Sequence, residues 1–148
     1  MSRWDKFHNA RSITTNELLR QAVVDELWAD LTNWPLSVEH WHDPALRERY
    51  APVLAHDCPR PALPVLQTGL QLARWELERD YEALDDFARN DRGAKLTGSG
   101  LEALSLEFLH RWLTDCLLEV LEVTELKRSN LIDALQQLET RLLLRPQG

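Results

Sequence analysis

Only two cysteines occur in this chain, no uncharged run is long, and no cluster of lysine and arginine appears. Each shortage excludes something. Cys58 lies among prolines and Cys116 lies mid-helix at an apolar-face position, so the pair does not read as a disulfide framework. No uncharged stretch approaches the roughly 18 residues of a membrane-spanning helix. Met1-Ser2-Arg3-Trp4-Asp5-Lys6 has no apolar segment behind it, so no secretory leader is expected. Cytoplasmic localisation is therefore the expectation. Strand-like alternation and hairpin dipeptides between apolar runs are also missing, which removes a β architecture.

Charge narrows the partner class. Formal net charge is −7, with seven basic and nine acidic groups in residues 1–60 and ten and fifteen in residues 61–148. A phosphate-binding surface needs clustered Lys and Arg, so nucleic acid and anionic membranes are unfavoured and a basic protein partner fits better. Arginine outnumbers lysine 14 to 3, a composition that suits a GC-rich bacterial genome.

What is present is ordinary globular material, 44% apolar and 28% charged over 148 residues, enough for one domain with a real core. Residues 1–13 read as an N-terminal arm. Thr14 and Glu17 have capping-box spacing, with Ile13 and Leu18 as a hydrophobic staple, and Leu19, Val23, Leu27 and Leu31 follow at four-residue steps. That pattern predicts a helix over 15–34, stopped by Pro35. A second helix is predicted over about 64–90 from Leu66, Leu70, Ala73, Leu77, Tyr81, Leu84 and Phe87. Its other side carries Glu76, Glu78, Asp80, Glu82, Asp85 and Asp86 against Arg74 and Arg79. The most apolar helix is predicted over about 100–126, and a last one carries Leu131, Leu135, Leu138 and Leu142 up to Pro146. Leu143 and Leu144 extend that apolar surface past one face, either to pack in the core or to offer a surface to a partner or a second copy of the chain. The expected fold is all-α: a single-domain bundle of four main helices with one long crossover.

The crossover, residues 35–64, is the irregular part. Six of the seven prolines fall between Trp34 and Val65, together with His40, His42, His56 and Cys58. Asp43-Pro44 predicts a short helix reaching about Tyr50. Imidazole, thiolate and carboxylate are ligands for zinc or iron, so these four residues form a candidate metal site, although their spacing matches no zinc module. If residues 38–42 were helical, His40 and His42 would project about 200° apart and could not share one ion.

Other chemistry is thinner. Cys58 with His56, or Cys116 with His110, would supply a nucleophile and a base, but a reactive thiol needs an electropositive, partly exposed setting. Cys116 reads as inert core. Glu107 and His110 have Glu-x-x-His spacing, yet no second such motif exists for a di-iron site. Arg49 and His56 loosely resemble the Arg…His pair of the helical HEPN ribonuclease superfamily. That resemblance covers two residues and departs from the family's continuous helix at Pro52, and an RNA substrate suits an acidic chain badly.

Two readings follow. The first is a non-enzymatic interaction protein: a small acidic adaptor, chaperone, immunity-type inhibitor or accessory subunit of a prokaryotic complex. Its expected partner surface is Trp34 and Trp41 beside the crossover together with Glu82, Asp85 and Asp86. Trp4, Trp34 and Trp41 are expected to be partly exposed, and Trp28, Trp75 and Trp112 to be core. The second is a metal-binding protein or metal-dependent enzyme using His40, His42, His56 and Cys58.

Overall fold

The computed structural model describes residues 3–8, 16–34, 36, 38, 41–91 and 100–144, and among them the chain is all-α, with no strand. The helices are α1 (Asp5–His8), α2 (Asn16–Thr32), α3 (Pro44–Arg49), α4 (Ala51–Leu54), α5 (Leu63–Glu78), α6 (Tyr81–Asp86), α7 (Gly100–Val123) and α8 (Arg128–Leu144). A π-helical turn, Phe87–Asp91, continues α6. No helix among these residues is long and apolar enough to cross a membrane.

α2 buries Leu19, Val23, Val24, Leu27 and Leu31. It ends two residues before the expected Trp34. Asn33 Nδ2 and Thr32 Oγ1 both donate to the Ala29 carbonyl, at 2.7 and 3.0 Å. Proline at 35 disfavours the helical region for the residue before it, so Trp34 leaves the helix axis. Leu18 is 53% exposed, and Ile13 and Thr14, its expected staple and capping residues, lie outside the described residues.

The helix expected over 64–90 is broken. Arg79 has φ 59°, and the chain closes there with Arg79 N–H donating to Glu76 O (3.1 Å) and Asp80 N–H to Trp75 O (2.9 Å). Those two bonds are a Schellman motif with arginine where glycine usually stands. Asp80 then accepts from Ala83 N–H at 3.1 Å and caps α6. The apolar stripe runs across the break because Leu84 still packs against the core and Phe87 is buried within it. Periodicity therefore continues where the backbone does not.

α7 is the central element and packs against α1, α4 and α5. Gly69 lets α5 come close, since a Cβ built there would stand 3.1 Å from Leu109 Cβ. Thr124 ends α7: its hydroxyl donates to Val120 O (2.8 Å) and accepts from Leu126 N–H (3.2 Å). α8 lies against both α2 and α5. Arg20 pairs with Asp133 and Asp25 with Arg141, so α2 and α8 ascend in the same sense. One contiguous core runs from Trp4 to Leu142. Leu143 and Leu144 end α8 with 57% and 77% of their surface exposed.

Candidate functional site

Three of the four candidate metal ligands of the crossover lie among the described residues. His42 and His56 are exposed, and Cys58 is buried with its thiol donating toward Pro59 O at 3.6 Å. His40 lies outside the described residues. Among the described residues no three of His, Cys, Asp and Glu stand close enough to hold a metal ion. Neither cysteine meets the requirements for a nucleophile. Cys116 is buried in α7, where burial pushes its thiol well above the ordinary range. Pro52 sits inside α4, a separate short helix between Arg49 and His56.

The tryptophans need correcting. Trp4 has no exposed surface and Trp41 only 6%, so two of the three indoles expected at the surface are core. Trp41 is drawn inward by an aromatic cluster around Phe108. Its ring meets Phe108 edge-on at 5.6 Å and Tyr50 at 5.9 Å. Tyr50 lies 5.6 Å from Phe108, and Trp34 meets Phe108 edge-on at 5.9 Å. Edge-to-face pairs at these separations add to simple area burial. Phe108 holds the crossover down through three rings contributed by residues 34–50. Trp4 is buried at the start of α1, with Arg3 over its ring at 4.7 Å and bonded to Asp30 at 2.6 Å. Trp34 alone of the three stays partly exposed.

Beside that cluster, a polar groove of about 470 Å³ is lined by residues of α3, α5 and α7 together with Tyr50. Arg49 grips Glu107 with both arms of its guanidinium, Nε to Oε2 at 2.6 Å and Nη2 to Oε1 at 2.7 Å. His110 Nε2 meets Glu76 Oε1 at 3.1 Å. Burial pushes the His110 imidazole below its ordinary value, and the Glu76 carboxylate opposes that shift. Burial, reinforced by Glu107, pushes the Tyr50 phenol up. Arg49, Glu107, His110 and Glu76 are each paired with a group from another segment of chain. A groove so satisfied ties α3 and α5 to α7. No local pattern signals these pairs, because their members are 58 and 34 residues apart.

α6 differs. The left-handed turn at Arg79 starts a new helix whose Glu82, Asp85 and Asp86 are all exposed, with Tyr81 beside them at 62% exposure. Asp86 pairs with Arg89 at 3.3 Å, both of them surface groups. Glu82 and Asp85 have no ion pair among the described residues. A single screened pair on that surface is worth little. The face is therefore acidic, exposed and largely unanswered by the described residues.

No protein-family model matches the chain, and no curated protein or solved structure matches it either.

Proposed function

We propose that this protein is a non-enzymatic interaction module, a small acidic helical adaptor, chaperone, immunity-type inhibitor or accessory subunit of a bacterial cytoplasmic complex, that recruits a basic protein partner. In this reading the chain is one domain, a bundle of α2, α5, α7 and α8 with residues 35–64 as its Pro-rich crossover. The observation that carries it is the contrast in charge pairing. Among the described residues Glu82, Asp85 and Asp86 stand exposed on α6 with Arg89 as their one ionic partner, whereas in the polar groove Arg49 pairs with Glu107 and His110 with Glu76. Unpaired surface carboxylates attract a complementary partner at long range and fix its register on contact.

The test is capture of a stoichiometric partner from native lysate by the wild-type chain and by Asp85→Lys/Asp86→Lys. Loss of capture by a folded double variant supports the reading. Equal capture by both, or a lone monomer with no partner, overturns it.

The alternative, a zinc- or iron-binding protein built on His40, His42, His56 and Cys58, is separated by elemental analysis of untagged protein. Stoichiometric metal together with a chelator-sensitive melting temperature would replace the interaction reading.

A further inference from the structure

A second groove, of about 430 Å³, opens where α5, the π-helical turn and α8 meet. Its wall is Gln67, Thr68, Gln71 and Trp75 of α5, Phe87 of the turn and Glu139 of α8. The Trp75 and Phe87 rings are 6.5 Å apart and inclined by 57°. Its charge sets it apart. The polar groove near Tyr50 contains Arg49 and Arg111, and a third groove between α2 and α8 contains Arg20 and Arg141. Here the described lining residues include one carboxylate and no cation. Glu139 is half-buried and has no ion pair among the described residues.

A half-buried carboxylate in a groove also lined by two aromatic rings makes a site of negative potential. The ring faces are negative, and the low-dielectric wall strengthens the field. Gln67 and Gln71 add side-chain carbonyls that accept hydrogen bonds. The Thr68 hydroxyl is already spent on Pro64 O, at 2.7 Å. A planar cation that stacks on an aromatic ring and donates through a fork fits this set better than a compact ammonium. The groove also continues the acidic face, because α6 runs directly into Phe87.

We infer that this groove is the anchor pocket for an arginine side chain of the basic partner. The guanidinium stacks on Trp75, forks onto Glu139 and donates to the glutamine carbonyls, while Glu82, Asp85 and Asp86 meet the flanking basic residues. This inference rests on the proposed function and adds the side chain that is read.

The test titrates N-acetyl-arginine amide into the full-length protein and follows the Trp75 indole N–H by NMR, with N-acetyl-citrulline amide as the neutral isostere. A saturable shift with a Kd of roughly millimolar order is expected for arginine and none for citrulline. Glu139→Gln should weaken it by about fivefold or more, and Trp75→Leu similarly when followed at the Gln67 and Gln71 side-chain amides, with melting curves confirming that both fold. Asp85→Lys/Asp86→Lys should change it less than about twofold, since a single residue does not span the groove and α6. Equal shifts with citrulline, unchanged binding by Glu139→Gln, or no saturable shift each overturn the pocket. If the pocket fails while the α6 variant still loses partner capture, the recruiting surface stands alone. If arginine binds as described while the α6 variant captures normally, the α6 reading falls and the pocket stands.

Discussion

The groove beside Tyr50 and the face presented by α6 are built from similar residue types and do opposite things with them. In the groove, Arg49 is held by Glu107 and His110 by Glu76, each pair joining segments far apart in the chain. On α6, Glu82 and Asp85 have no ion pair among the described residues, and Asp86 meets Arg89 of the π-helical turn that follows. A perturbed histidine in a cleft is a common sign of an active site. Here the perturbation comes from burial, with Glu76 opposing it, so in the proposed reading the unmatched charge rather than the shifted one marks the partner surface. Function is better sought where electrostatic demand is unmet than where it is unusual.

The largest test of that contrast lies under the groove. Trp41→Ala should destabilise the fold by about 3–5 kcal/mol, since it removes a buried indole from the Phe108 cluster. Urea denaturation measures this. Partner capture per folded molecule should stay the same, because Trp41 presents almost no surface. A variant that folds normally but loses its partner would return Trp41 to the interface and undo the contrast.

Next in size is the converse change. Asp85→Lys/Asp86→Lys should leave stability within about 0.5 kcal/mol, as surface substitutions do. It should weaken partner capture by about tenfold, with the difference between wild type and variant shrinking as salt is added. Calorimetry at two ionic strengths, after the partner has been isolated, separates this from a packing defect.

Which of these features are legible in the sequence follows from the range of the physics. The all-α class and the stripes of α2, α5, α7 and α8 are visible because apolar periodicity is a local property read at three- and four-residue steps. Asp80 is a competent cap, yet the stripe from Leu77 to Leu84 masks the interruption, so one helix is expected where two exist. The exposure of Trp41 cannot be judged from its neighbours, because Phe108 buries it from 67 residues away. The acidic side of α6 is legible as composition. The pocket of Trp75, Phe87 and Glu139 is not, since its walls come from three elements and its one charge lies 52 residues beyond the nearer ring.

A smaller effect probes how completely the groove is matched. His110 is held below its ordinary value of about 6.5 in the folded state, which means that the unfolded chain takes up the proton first. Stability is thus full above about pH 6.5 and declines as pH falls through the folded value. Glu76 from α5 works against this, and Glu107, Asp115, Arg49 and Arg111 share the same groove. His110→Asn should flatten the rise of the urea midpoint between about pH 5 and 7, leaving carboxylate titration at lower pH in place. An unchanged slope would mean that Glu76 cancels the burial of His110.

The smallest effect concerns the turn that presents α6. Arg79 occupies the left-handed region with a β-carbon, a conformation costing about 1–2 kcal/mol for an L-residue. Arg79→Gly removes that strain but gives the unfolded chain more freedom, worth about 0.5–1 kcal/mol in the other direction. The net expectation is a gain of about 0.5 kcal/mol, read as a small rise in melting temperature. Arg79→Ala keeps the β-carbon and should show no such gain, which isolates the backbone from the lost charge. Both variants should capture the partner normally, because the Schellman bonds at Glu76 and Trp75 use only main-chain atoms and still set the direction of α6. If Arg79→Gly instead loses the partner while melting higher, the guanidinium itself belongs to the recognition surface, and the acidic face is not purely acidic.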